Sequence, residues 1–249
     1  MYQAFAQVAK PGQIDACPHC HSRAESAALL GPRLRELDAD VLGRYATSAM
    51  HTVGTAEDYR YFAPRLLELV VTGQYHGWFT ETVFDRLGAA RWTAWPEPQR
   101  GAVAAVLDAF WDASLARSPA LYPVDEVLCG LGCARPDLRP CLDRWTAALD
   151  GGAAALHLAE FLDDNVAVLL KRGGTRLSNA FWNPAAVPRV VGWLRSPGLR
   201  AAVEAAFHRA VGGPALEALD RAEHYLGLLA PEAPASGTAA AGAAAEGAG

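Results

Sequence analysis

The residues with the clearest chemical potential lie together near the start of the chain, in the run Cys17-Pro18-His19-Cys20-His21. Two thiols separated by two residues can bind one zinc ion, and a neighbouring histidine can supply a nitrogen ligand. The sequence therefore predicts a zinc site. Its candidate ligands are Cys17, Cys20, His21 and His19. Candidates for a more distant ligand that would complete a tetrahedron are His51, His76 and Cys129.

The same two cysteines also fit thiol–disulfide chemistry, with Cys17 as the nucleophile and Cys20 as the resolving thiol. The tetrapeptide resembles the active-site motif of thioredoxin-fold oxidoreductases of the DsbA type, although the rest of the chain lacks strand patterns. A helix is expected to begin near Ser22, and a helix N-terminus lowers the pKa of a nearby thiol. A third alternative is the attachment pattern of c-type haem, with His21 as axial ligand.

A second candidate site lies in the segment Tyr59–Leu69, which is dense in aromatic rings and arginines. Arg60, Arg65 and Tyr61 could line a ligand pocket in which a guanidinium group holds a carboxylate or a phosphate. The alternative is structural: the aromatic rings pack against Trp78 and Trp92, and Arg65 pairs with Glu68 three residues later on one helix face.

Two further patterns favour structure over chemistry. The basic, glycine-rich run Lys171–Arg176 follows a helix, whereas phosphate loops place their glycines before one. We therefore expect these cations to complement the dipole of a helix C-terminus. His157, Glu160 and Asp164 share one helix face, and we expect His157 to be a partly buried histidine with satisfied hydrogen bonds.

The segments Cys17–Cys20, Asp58–Glu68 and Trp92–Pro96 resemble an uncharacterised family of helical bacterial proteins. The similarity covers roughly the first half of the chain. The resemblance implies a helical fold and carries no assigned activity.

The elements that must position these residues all read as helices. Ser22, Asp38 and Thr55 have the types and spacing of helix caps, and Pro197 and Pro214 mark clean boundaries further along. No run alternates apolar and polar residues as a strand would. Short connections favour antiparallel neighbours. The sequence therefore predicts an all-α fold, either an irregular multi-helix bundle or a superhelix of antiparallel helix pairs.

We expect a single helical domain over residues 1–230, with the Cys/His knuckle at about 15–22. Residues 231–249 contain alanine, glycine and proline but no large apolar side chain. Such a segment has nothing to bury against a core, so it is predicted to be a disordered tail.

The composition excludes several classes of protein. The chain has 249 residues, of which 51% are hydrophobic, and a net charge of −5. This mildly acidic balance argues against nucleic-acid binding, and the lack of a long uncharged apolar run argues against a membrane span. An odd number of cysteines and no export signal predict a reduced, cytoplasmic protein.

The expected function is that of a binding or interaction protein with a protein or small-molecule partner, whose N-terminal knuckle holds a structural zinc. The alternative is an enzyme. Its chemistry would be either thiol–disulfide redox at Cys17 and Cys20 or a metal-dependent reaction in the helical bundle.

Overall fold

A computed structural model describes residues 1–75 and 80–230. These residues form eleven α-helices and no strand, which confirms the all-α prediction. The helices are α1 (Arg23–Leu30), α2 (Ala39–Ser48), α3 (Ala56–Val71), α4 (Thr80–Ala89), α5 (Glu97–Leu115), α6 (Val124–Ala134), α7 (Arg139–Ala148), α8 (Gly152–Lys171), α9 (Val187–Leu194), α10 (Pro197–Arg209) and α11 (Pro214–Leu229). The tail predicted at 231–249 lies outside the described residues.

The first helices begin at the caps that the sequence indicates. Ser22 accepts a hydrogen bond from the Glu25 amide at 3.2 Å, and the Glu25 carboxylate accepts from the Ser22 amide at 2.7 Å. Asp38 caps α2, and Thr55 forms the same reciprocal pair with Asp58 at the start of α3. Each cap satisfies amides that the helix itself cannot pair and contributes about 1 kcal/mol.

The sequence leaves two possibilities for Pro64, the first turn of a new helix or a kink within one, and the first of these is wrong. α3 runs from Ala56 to Val71 with Pro64 buried inside it. A proline within a helix costs about 3 kcal/mol. The buried side chains on either side, including Phe62 and Leu66, hold α3 against the core and offset that cost.

A hydrophobic core extends through the described helices, from Phe5 to Leu229. Tryptophans form part of its centre: the Trp145 ring lies 5.4 Å from Trp111, 5.6 Å from Phe161 and 5.2 Å from Trp193, measured between ring centroids. These four rings come from α7, α5, α8 and α9 respectively. The buried indole N–H groups of Trp111 and Trp145 each donate to a backbone carbonyl, which removes the cost of burying them.

Helices α4 and α6 pack with their backbones unusually close. A methyl group placed on Gly88 of α4 would lie 2.3 Å from the carbonyl oxygen of Cys133 in α6. One placed on Gly130 of α6 would lie 2.5 Å from the Phe84 ring in α4. The two glycines therefore set the distance between these helices. None of the described helices has the length and apolar composition needed to span a bilayer.

Candidate functional site

The cysteine loop, residues 15–22, is anchored to the turn that follows α2. The Cys17 amide donates to the Thr52 carbonyl at 2.9 Å, and the Gly54 amide donates to the Asp15 carbonyl at 2.7 Å. The loop then turns tightly, because the Cys17 carbonyl accepts from the amide of Cys20 at 3.0 Å. This chain of backbone hydrogen bonds fixes both cysteines in front of α1 without placing them in a helix.

The two thiols of this loop are free and unequal. Cys17 is half-buried and Cys20 is exposed. A hydrogen bond from the His19 amide to the Cys17 sulfur, followed by one from the Cys20 thiol, lowers the pKa of Cys17. The same contact between the two thiols raises the pKa of Cys20. Cys17 is therefore the thiol of the pair that ionises first.

The direction of this pKa shift agrees with the sequence analysis, but its physical cause differs. Helix α1 begins only at Arg23, and the Ser22 hydroxyl already accepts from the Glu25 amide. The donors that reach the Cys17 sulfur belong to the tight turn of the loop itself, with the His19 amide first among them.

The imidazole of His21 lies in a small cavity between α1 and α2, with Leu29, Val41 and Tyr45 among its neighbours. Its side chain is only 8% exposed, and its Nδ1 lies 3.9 Å from a carboxylate oxygen of Glu25. Among the described residues, neither His21 Nε2 nor the Tyr45 hydroxyl has a hydrogen-bond partner. His21 is thus directed to the protein interior, while Cys20 faces solvent.

The positions of the predicted zinc ligands can now be compared with what a zinc site requires. Across residues 1–75 and 80–230, no three His, Cys, Asp or Glu side chains are grouped so that they could hold a metal ion. Cys129 is buried in α6, where its thiol contacts Cys133. His51 is exposed in the turn that anchors the cysteine loop, and His76 lies outside the described residues. Zinc at this loop therefore stays a prediction that rests on two thiols.

The arginines of the second candidate site are held by protein partners. Arg60 donates to the Gln99 side chain at 2.7 Å, and Arg65 forms an ion pair with Glu68 at 2.5 Å. The ring of Tyr61 packs edge-on against that of Phe62, its neighbour in α3. The Arg65–Glu68 pair is the one that the structural alternative predicts, and both guanidinium groups already have acceptors. The ring partner of Tyr61 is Phe62, and Trp78 lies outside the described residues. A ligand at this site would have to compete with them.

His157 is buried with both ring nitrogens satisfied. Its Nε2 lies 2.7 Å from the Arg117 carbonyl oxygen, and its Nδ1 lies 3.3 Å from the Glu160 carboxylate. At 2% exposed it is more buried than expected, and the expectation of satisfied hydrogen bonds is confirmed. The contact with Arg117 gives His157 a structural role, because it connects α8 to the segment that follows α5.

A group of polar side chains, which we call the carboxylate–amide cluster, has no counterpart among the sequence predictions. It consists of the buried Glu81, Asp125 and Asn165 and the half-buried Asn179. The Asn179 amide donates to Glu81 at 2.8 Å, and the Asn165 amide donates to Asp125 at 3.4 Å. Burial raises the pKa of Asp125, even though the Trp182 indole, Asn179 and Asn165 all donate to it. No short spacing connects these positions, so no local motif could have indicated the cluster.

No protein-family model, curated protein or solved structure matches the chain. This result is consistent with the resemblance to a family without an assigned function, and any function must be argued from the residues themselves.

Proposed function

We propose that Cys17 and Cys20 form a reversible dithiol–disulfide pair, in which Cys17 is the attacking thiol. The observation that carries this proposal is the set of donors at the Cys17 sulfur, namely the His19 amide and the Cys20 thiol. Hydrogen bonds to a charged sulfur are stronger than those to a neutral one, so they favour the thiolate. The exposed position of Cys20 leaves the pair open to a partner disulfide.

The reaction has two steps. The Cys17 thiolate attacks one sulfur of a partner disulfide, forming a mixed disulfide and releasing the other sulfur as a thiolate. Cys20 then loses its proton and attacks the Cys17 sulfur, which releases the second partner sulfur and leaves a Cys17–Cys20 disulfide. Two electrons pass from the protein to the partner, which leaves as a dithiol. We place the protein in the cytoplasm, where such a pair rests in its reduced state.

The pH dependence of alkylation tests the proposal. Cys17 should react with iodoacetamide with a midpoint below about 8.5, the value of an ordinary thiol, and Cys20→Ala, which removes the donating thiol, should move that midpoint upward. Cys141→Ser is the matched control, because Cys141 is buried in α7 and its pKa is raised to about 11.

Oxidised glutathione supplies the second readout. It should convert the reduced protein to a form whose Cys17–Cys20 disulfide is found by peptide mass mapping. A Cys17 midpoint at or above that of a free thiol, together with no such disulfide, would show that the pair has no redox role.

Structural zinc in an interaction protein is the second candidate. The observation that favours it is again the N–H group at the Cys17 sulfur, because the same contact stabilises a metal-bound thiolate. If zinc is bound, metal analysis of the purified protein should find about one zinc ion per chain, and removing the zinc should lower the melting temperature. Less than about 0.2 zinc per chain, with an unchanged melting temperature for Cys17→Ser, would leave the redox proposal as the only one of the two.

A further inference from the structure

In one stretch of this acidic protein, every charged side chain is a cation. Residues 165–203 contain no aspartate or glutamate, although the whole chain has a net charge of −5. The cations of this stretch are Lys171, Arg172, Arg176, Arg189, Arg195 and Arg200. Positive charge gathered in one segment against a negative background creates a local potential that attracts anions.

The structure folds part of this stretch around a groove of about 430 Å³ between the end of α8 and the start of α9. The groove is lined by Arg172, Thr175, Arg176, Asn179, Trp182 and Val187, among others. Its size lies in the range of small-molecule sites, and its lining combines guanidinium groups with an apolar wall.

Of the six cations in this stretch, two are held by protein partners, whereas Lys171, Arg195 and the two arginines of the groove are not, within the part of the chain that the structure describes. Arg189 is paired with Asp137, and Arg200 donates to the Leu226 carbonyl at 3.4 Å. Within residues 1–75 and 80–230, the side chains of Arg172 and Arg176 have no hydrogen-bond or ion-pair partner. A guanidinium group offers five N–H donors in a planar fork that matches the oxygens of a phosphate. The groove thus presents two such groups with unused donors.

The inner wall of the groove is held rigidly by the carboxylate–amide cluster. Asn179 is fixed by its hydrogen bond to Glu81, and the Trp182 indole donates to Asp125 at 3.4 Å. Ser178, between them, donates from its amide to the Asn165 side chain at 2.8 Å. A wall whose side chains are already ordered loses little conformational entropy when a ligand binds.

We propose that this groove binds a phosphorylated small molecule, with the phosphate between Arg172 and Arg176 and the remainder against Trp182 and Val187. The site is separate from the cysteine loop and does not depend on the proposed redox role. A small ligand is favoured over a nucleic acid because the groove has the volume of a small-molecule site and the protein as a whole is acidic.

Binding of inorganic phosphate and AMP to the full chain tests this inference, with adenosine as the compound that lacks the phosphate. We expect line broadening of the inorganic phosphate signal in ³¹P NMR, displacement of phosphate by AMP, and no effect of adenosine. The double variant Arg172→Ala/Arg176→Ala should raise the dissociation constant about tenfold or more, because each charge-assisted hydrogen bond contributes on that scale.

Arg209→Ala is the matched control. It also removes an exposed arginine, one that pairs with Asp150 outside the groove, and it should bind phosphate like the unmodified protein. The inference is wrong if neither phosphate nor AMP binds, or if the double variant binds as tightly as the control. Binding of a single-stranded DNA oligonucleotide without binding of either phosphate compound would also overturn it.

Discussion

The contact between α4 and α6 leads to a quantitative prediction about Gly88→Ala. The added methyl group would start 2.3 Å from the Cys133 carbonyl oxygen, and real contacts of this kind stay above about 3.0 Å. The neighbour is backbone rather than a flexible side chain, so the helices themselves have to separate. Overpacking of this kind costs about 1–3 kcal/mol.

The matched control is Gly227→Ala in α11, where nothing lies within 4 Å of the added methyl group. Alanine is favoured over glycine in a helix by up to about 1 kcal/mol, and both substitutions receive that gain. We therefore expect Gly227→Ala to be as stable as the original protein or more stable. Gly88→Ala should unfold about 2 kcal/mol more easily than this control.

Urea unfolding followed by tryptophan fluorescence measures the difference directly. In thermal unfolding, each 1 kcal/mol corresponds to about 2–4 °C for a chain of this size, so the two melting temperatures should differ by about 4–8 °C. Equal stability of the two variants would refute the reasoning, because it would mean that α4 and α6 can move apart at no cost.

Three further predictions concern single polar groups. Tyr45→Phe should leave the free energy of unfolding unchanged or raise it, since the buried Tyr45 hydroxyl has no partner among the described residues. Tyr59→Phe should lower the free energy of unfolding by about 1 kcal/mol, because the Tyr59 hydroxyl donates to the Val83 carbonyl at 2.6 Å. Equal losses in urea unfolding would contradict this. Asn165→Ala should cost about 2 kcal/mol or more, because the buried Asn165 amide bonds to the Phe161 carbonyl and to the Ser178 amide. A loss below about 0.5 kcal/mol would show that water replaces it. Arg139 lowers the pKa of Asp137 to about 2, so the charged carboxylate favours the folded state, and that contribution is lost as the pH falls from about 4 to about 2. NMR titration should find this pKa low, and Arg139→Ala should return it toward about 3.9; a normal value in the unmodified protein would contradict the assignment.

Local signals explain which parts of the fold could be predicted. The caps at Ser22, Asp38 and Thr55 act through neighbours within three residues, so their positions are readable in the sequence. α11 begins at Pro214 as the boundary signal indicates. Pro64 misled the prediction because the packing of distant side chains, which no local pattern contains, keeps its helix continuous.

In the candidate sites, too, local features could be predicted from the sequence and long-range contacts could not. The cysteine loop is a short motif, and its thiols are visible in the sequence. The largest cause that lowers the pKa of Cys17 is the amide of His19, which only the turn geometry reveals. For the run Lys171–Arg176, the sequence predicts only a helix end. Its role in a groove depends on Trp182, which follows in a separate turn and is held by a carboxylate on α6.

The tryptophans at the core centre also give the protein an internal optical reporter. Trp145 is within 5.6 Å of three other aromatic rings, each on a different helix. Rings held this closely in a fixed asymmetric arrangement produce near-ultraviolet circular dichroism, which disappears when side-chain packing is lost even if the helices survive. The near-ultraviolet spectrum therefore includes a signal from the mutual packing of α5, α7, α8 and α9, and its loss distinguishes a loosened bundle from a native one.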